Sequence, residues 1–249
     1  MEKSNRNIKL IIEYDGTDYH GWQRQPNRIS IQEVLENTLS QVLEHEVSII
    51  SAGRTDAGVH ALGQCANFKT DCRIPAEKIP YALNALLPDD IVIKHACEVS
   101  ADFHARFSVK GKYYKYIINN GRFPSAIDAK REYFCPYRLN IDLMKEALEQ
   151  LLGTHDFKGF MASGCAVKNT VKTIYEAGLE VKDDKITIGL KADGFLYNMV
   201  RIIAGTLIDV GRGRIPIENV KKALETGERS LAGKTVQPQG LYLVEVYYI

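Results

Sequence analysis

Arg54, Asp56 and His60 fall within one short stretch, Ser-Ala-Gly-Arg-Thr-Asp-Ala-Gly-Val-His-Ala, running from Ser51 to Ala61. Gly53 and Gly58 bracket the arginine and the aspartate. Glycines there let the backbone turn sharply and let another molecule come close. A single carboxylate can act as a nucleophile or a base if it is kept ionised and aimed. A neighbouring cation favours the charged form. The same residues also suit an ordinary turn in which Asp56 bonds backbone amides and Arg54 is solvated, because Asp and Gly are common turn formers.

Two further residue types with chemical potential lie far away in the chain. Arg201 sits in an apolar run, about Leu196 to Val210, whose helical stripe is Leu196, Met199, Val200, Ile203, Ala204, Leu207 and Ile208. Arg201 falls off that stripe, beside Asn198 and Gly205 at helical spacing, and Gly205 lets something approach closely. An arginine snorkelling at the edge of a buried helix has the same pattern. In Lys112-Tyr113-Tyr114-Lys115-Tyr116, Tyr114 and Tyr116 share one face of a strand and Tyr113 takes the other. Such tyrosines serve core or cross-strand packing as readily as ligand stacking. From Phe103 to Ile127 there is no Asp or Glu, while Arg106, Lys110, Lys112, Lys115 and Arg122 interleave with Phe103, Phe107, Tyr113, Tyr114, Tyr116 and Phe123. That mixture suits a surface that follows a nucleic-acid backbone and stacks on bases, or equally a strand with a solvated basic face.

Composition bounds what else the chain can be. Its 249 residues suffice for one large domain or two ordinary ones, with 45% hydrophobic and 25% charged residues. No apolar run approaches the roughly 20 residues that span a bilayer. The polar N-terminus, Met1 to Asn7, has no apolar signal core behind it, and the expectation is a cytoplasmic protein. Cys65, Cys72, Cys97, Cys135 and Cys165 are scattered and form no Cys-x-x-Cys pair, so neither a disulfide framework nor a metal site is expected. The net charge of +1 does not announce nucleic acid globally. There is no His-Glu-x-x-His, no Gly-x-x-x-x-Gly-Lys-Ser/Thr, no Gly-x-Ser-x-Gly and no strand followed by Gly-x-Gly-x-x-Gly. The chemistry on offer is carboxylate, cation and aromatic, with no cofactor. Gly211-Arg212-Gly213-Arg214 adds a basic helix terminus of low specificity.

The elements that position these groups follow from periodicity. Ile8, Leu10, Ile12 and Tyr14 mark a strand that runs into the turn Asp15-Gly16-Thr17, followed by His20-Gly21-Trp22-Gln23. Ser30 and Glu33 form a capping box ahead of an amphipathic helix through Leu43. Val47 to Ala52 is expected as the strand that delivers the Asp56 loop, and Gln64 to Lys69 as a returning strand. Pro75 starts a helix to about Leu87 with Pro80 inside it. Ile91 to Ala96 closes a β-α-β-β-α-β half. Lys112 to Asn119 is the next strand, and Gly121 to Asn140 reads as a turn-rich insertion. Asn140 caps a helix closed by Gly153. His155 to Asn169 reads as irregular. Val171 to Val181 and Lys185 to Ala192 make a hairpin about Asp183-Asp184. The Arg201 helix, a helix from Pro216 to Glu225 and a strand from Leu241 to Tyr248 complete the chain. The expected fold is α+β: two ferredoxin-like or RRM-like halves, 1–105 with the Asp loop and 106–249 with the Tyr strand and Arg helix. Their antiparallel sheets join into one extended mixed sheet, with helices packed on one side and a central catalytic cleft.

The octapeptide from Gly53 to His60 resembles the signature of the tRNA pseudouridine synthase A family. The likeness continues through Gly21-Trp22-Gln23, Phe103 to Arg106, the Tyr114 strand, Phe195 to Arg201, and Gly240-Leu241-Tyr242-Leu243. Val236-Gln237-Pro238 departs from the Ala-Pro-Pro usual there. The resemblance implies isomerisation of uridine to pseudouridine at positions 38, 39 and 40 of the tRNA anticodon arm, without a cofactor. It implies that Asp56 is the catalytic nucleophile, that Tyr114 stacks on the target base and that Arg201 pairs with the catalytic carboxylate. Arg54 would help splay out the target nucleotide, and Arg106, Lys110, Lys112 and Lys115 would grip phosphates. The partners implied are tRNA and a second copy of the chain in a homodimer. A non-catalytic RNA-binding module, which has no need of Asp56, is a second reading. A glycoside hydrolase is a third, but that chemistry normally uses two carboxylates and this loop offers one.

Overall fold

The computed structural model describes residues 6–164 and 169–248. They form an α/β structure of mixed sheets and helices, in two compact units: Met1–Lys110 with Tyr242–Ile249, and Gly111–Leu241.

The first unit begins with β1 (Arg6–Tyr14), where the expected alternation buries Ile8, Leu10, Ile12 and Tyr14. Next comes α1 (Ile31–Leu43), whose N-cap Ser30 accepts a hydrogen bond from the Glu33 amide and whose Ile31, Leu35, Leu39 and Leu43 are buried. Then follow β2 (Ile50–Ser51), β3 (His60–Thr70), α2 (Ile79–Asn84) and β4 (Ile91–Val99). β1 lies between β4 and β3, and β2 pairs with β3; all three pairings are antiparallel.

The second unit contains β5 (Gly111–Asn119), β6 (Tyr133–Phe134), α3 (Ile141–Glu149), β7 (Gly153–Asp156), β8 (Val171–Lys182), β9 (Lys185–Ala192), α4 (Met199–Gly211) and α5 (Glu218–Thr226). β9 lies between β5 and β8, with β7 on the far side of β8 and β6 parallel to β5. Asp183, at φ 53°, turns the β8–β9 hairpin. The closing strand β10 (Leu241–Tyr247) returns to β3, parallel to it, through Tyr242↔His60 and Leu243↔Ala61.

Several elements differ in extent from their sequence patterns, each for a local reason. The strand expected over Val47 to Ala52 is reduced to Ile50–Ser51, because only those residues keep register with Asn67 and Ala66 of β3. The returning strand starts four residues early, at His60, where β10 takes up the same edge of β3. The helix expected from Pro75 to Leu87 breaks into a short 3-10 turn, Ala76–Lys78, and α2, which carries Pro80 in its first turn. Asn198, in the left-handed conformation at φ 59°, delays α4 to Met199. The insertion from Gly121 to Asn140 contributes β6, and the stretch read as irregular contributes the second half of β7 and a 3-10 turn, Phe157–Phe160. Cys165, at the end of that stretch, lies outside the described residues.

Cys65, Cys72, Cys97 and Cys135 are free thiols. Burial pushes the Cys65 thiol up to about 11. No helix among the described residues is long and apolar enough to cross a membrane.

Candidate active site

The Asp56 loop leaves β3's edge where one neighbour gives way to another. β2 pairs with the Ala66–Asn67 end, β10 pairs with the His60–Ala61 end, and residues 52–59 cross the gap. Its entry is fixed by the Ala52 amide donating to the Cys65 carbonyl at 2.8 Å. Its exit is a turn in which the Val59 amide donates to the Asp56 carbonyl at 3.1 Å, with Gly58 at φ 74°.

Between these ends the loop is backed by buried groups. The Gln64 carboxamide donates from Nε2 to the Gly53 carbonyl at 2.8 Å. The Trp22 amide donates to the Thr55 carbonyl at 3.0 Å, and the Thr55 hydroxyl meets the Tyr14 hydroxyl at 2.7 Å. Trp22 is itself buried and sits 6.0 Å from the Tyr14 ring, centroid to centroid. Gly21, at φ 85°, lies so close beneath the loop that a Cβ there would stand 2.5 Å from the Thr55 carbonyl oxygen. The Gly-Trp-Gln segment is therefore the floor of the loop.

His60 is buried and stacks on Tyr242 at 4.7 Å. Its Nδ1 accepts from the Gly16 amide at 3.1 Å and lies 3.0 Å from an Asp15 carboxylate oxygen. A Cβ on Gly16 would run into the Val59 carbonyl. The imidazole therefore anchors the loop's exit to the Asp15-Gly16-Thr17 turn. Asp56 itself is half-buried, and Arg54 is exposed.

The second unit holds Tyr114 and Arg201 around one connection, the residues before α4. Tyr114 is buried on β5 opposite Leu190, and Phe195 meets its ring edge-on at 5.0 Å. Three residues on, the Asn198 side chain accepts a 2.7 Å hydrogen bond from Arg201 Nη1. Arg201 Nε donates to the Val236 carbonyl at 2.7 Å. Tyr116, also buried, donates from its hydroxyl to the Gln237 carbonyl at 2.7 Å. Burial raises the Tyr116 hydroxyl well above the ordinary tyrosine range, so it stays a donor. Both bonds to the Val236–Gln237 segment use main-chain carbonyls, so the departure from Ala-Pro-Pro leaves them intact.

The close approach expected at Gly205 is made by that same segment. A Cβ on Gly205 would be built onto the Lys234 carbonyl oxygen. Gly205→Ala is expected to lower stability by about 2–4 kcal/mol, because backbone and not a movable side chain blocks the methyl group. Denaturant melts against wild type check it; an unchanged midpoint would mean the 233–236 segment is not seated on α4.

Of the basic residues, Arg106 and Lys110 are exposed, whereas Lys112 and Lys115 are half-buried on β5. Burial lowers the Lys115 ammonium. Arg106 lies 5.7 Å from the centroid of the exposed Phe107 ring, which stacks on His104 at 4.2 Å. Phe195 stands in a segment of family likeness and Val236-Gln237 where the chain departs from it, but their parts here, a ring against Tyr114 and two carbonyl acceptors, are not visible in sequence. An aromatic neighbour and two main-chain acceptors leave no spacing signal.

A family model described as tRNA pseudouridine synthase matches residues 10–108 and 147–249. The tRNA pseudouridine synthase A of Acetivibrio thermocellus is 50% identical over 243 residues, which is 98% of this chain and 100% of the relative. That of Thermoanaerobacter pseudethanolicus is 51% identical over the same shares. Among solved structures, a chain of the archaeal box H/ACA sRNP Nop10-Cbf5 complex is similar at 12% identity and a TM-score of 0.37, covering 92% of this chain and 59% of that one.

Proposed function

The chain belongs to the tRNA pseudouridine synthase family and isomerises uridine to pseudouridine in tRNA; we propose that it does so at positions 38, 39 and 40 of the anticodon arm, with Asp56 as its nucleophile. The observation that carries the assignment to Asp56 is the loop's anchoring. Buried donors hold the Gly53 and Thr55 carbonyls, and the Asp56 carbonyl closes the exit turn. A carboxylate on a loop held this way is pre-organised for attack.

The reaction conserves every atom. Asp56 attacks the target nucleotide, the bond between N1 of the uracil and the anomeric carbon breaks, and the base turns in place. Carbon 5 then bonds the anomeric carbon, Asp56 is released, carbon 5 gives up its proton and N1 regains one. Tyr114 stacks on the base and assists removal of that proton. Arg201 keeps Asp56 ionised, as a cation does for a neighbouring carboxylate. Arg54 helps hold the nucleotide out of its stack. No cofactor enters. The halves, 1–105 and 106–249, are ferredoxin-like in this reading. The β-α-β-β-α-β order of the first, with β1 between β3 and β4, supports that description. The protein works in the cytoplasm as a homodimer.

Arg106, Lys110, Lys112 and Lys115 supply the phosphate contacts. Four such contacts correspond to a loss of about 10²-fold in tRNA affinity between about 50 and 200 mM salt. Exposure ranks them, so Lys110→Ala is expected to flatten the salt slope by about one and Lys115→Ala by less. A filter-binding titration across salt checks this; equal slopes for wild type and both variants would remove these residues from the RNA contact.

The site assignment is tested by incubating unmodified tRNA transcripts with the protein and mapping pseudouridine by carbodiimide-blocked primer extension. Stops at positions 38 to 40 that need the protein are expected. Stops confined to another arm of the tRNA would overturn the positional assignment.

A further inference from the structure

We propose that Tyr14 and Gln64 are positioning residues for the reaction, acting on Asp56 through Thr55 and Gly53. The inference rests on the assignment of Asp56 as the nucleophile.

Thr55 immediately precedes Asp56 and is buried. Its side chain and its carbonyl are held from different directions, by the Tyr14 hydroxyl at 2.7 Å and by the Trp22 amide at 3.0 Å. Both holders are buried, as is Gln64. Gln64 occupies β3 and is fully used. Its Nε2 donates to the Gly53 carbonyl at 2.8 Å, its Oε1 accepts from the Cys65 amide at 3.1 Å, and its side chain also reaches the Tyr14 hydroxyl. The loop is thus clamped at Gly53 and Thr55, on the N-terminal side of the carboxylate, by two side chains that come from neighbouring strands.

β1 and β3 pair in register from Arg6↔Thr70 to Ile12↔Gln64, the register then shifts, and Tyr14 meets Ala61. Gln64 and Tyr14 flank that shift, so a positioning role is separated from a structural one by the kinetic readouts below. The Tyr14 hydroxyl and Gln64 Nε2 are spent on the loop, while Gln64 Oε1 holds the Cys65 amide of β3. Removing the hydroxyl frees the peptide that carries Asp56. Removing the carboxamide does so too and also takes the acceptor from Cys65, so the Gln64 variant is read together with its melting temperature. Errors of about 1 Å in a reacting group cost on the order of 10²-fold in rate. Burial also pushes the Tyr14 hydroxyl well above its ordinary range, so it remains a neutral phenol throughout the working pH range. Its loss should therefore scale the rate evenly with pH.

The test compares Tyr14→Phe, Gln64→Met, Thr55→Val and Thr55→Ser with wild type, in steady-state pseudouridine formation on full tRNA transcript. The expected result is a fall in kcat of about 10–100-fold for Tyr14→Phe and Gln64→Met. KM should stay within about twofold, and the kcat–pH curve should keep its shape. Thr55→Ser keeps the hydroxyl and should keep most of the rate. Tyr14→Phe combined with Thr55→Val should lose no more than the worse single variant, since both remove one bond. Folded variants that retain wild-type kcat, or that change KM alone, would overturn the proposal. A loss that tracks the melting temperature and is not relieved by Thr55→Ser would also overturn it. Should Tyr14→Phe fail to fold, the comparison of Thr55→Val with Thr55→Ser decides the question from the other side of the same bond. Asp56→Asn in the same assay separates the two readings. Activity there would remove Asp56 as nucleophile, whereas the positioning effect is read against wild type.

Discussion

Asp56→Asn is expected to lower pseudouridine formation by about 10⁴-fold or more, while tRNA still binds and the first unit still folds. The carboxamide is nearly isosteric with the carboxylate but offers no attacking oxygen anion. The bonds that hold Gly53, Thr55 and the Asp56 carbonyl run through the main chain, the Gln64 carboxamide and the Thr55 hydroxyl, and asparagine keeps every one of them. The melting curve should therefore stay close to wild type. Three measurements check this together: nucleoside analysis of reacted tRNA, a gel-shift titration and a thermal melt. A variant that isomerises tRNA at a tenth of the wild-type rate would place the nucleophile elsewhere.

The second large effect is expected at a glycine packed against the backbone of the Asp56 loop. Gly21→Ala should reduce kcat by about 10²-fold and stability by about 1–3 kcal/mol. Gly21 sits at φ 85°, where a side chain is strained, and its Cβ would stand 2.5 Å from the Thr55 carbonyl and 3.1 Å from the Ala57 amide nitrogen. Either the loop lifts, carrying Asp56 with it, or the Trp22 amide loses its bond to Thr55. Gly178→Ala on β8 is the matched control, because nothing lies within 4 Å of a Cβ there and its backbone conformation suits any residue. Steady-state kinetics and melts on both variants check the prediction. Equal activity of Gly21→Ala and Gly178→Ala would mean that the Gly-Trp-Gln floor does not set the loop.

What the sequence made legible was the part written in side-chain types. Glycines bracketing Arg54 and Asp56 marked the loop. Ser30 ahead of Glu33 marked the start of α1, and the Asn198, Arg201, Gly205 line marked one face of α4 as close to something. The identity of that something was hidden, because the approaching groups are main-chain carbonyls of Lys234 and Val236. The pattern from Leu241 to Tyr248 marked a strand but not its partner. Its parallel pairing with β3 depends on β2 stopping short, which is decided by packing across the sheet and not by local propensity. The role of Tyr14 was masked for a similar reason. In sequence it is the last buried residue of an alternating strand, and only the fold turns its hydroxyl toward Thr55.

The most direct test of the central claim is tritium release from tRNA labelled at carbon 5 of uridine, with the purified protein and no added cofactor, beside Asp56→Ala. The account predicts release by wild type that matches the pseudouridine formed, and none above background from Asp56→Ala. Release by Asp56→Ala, or no release by wild type from any tRNA that it binds, would contradict it.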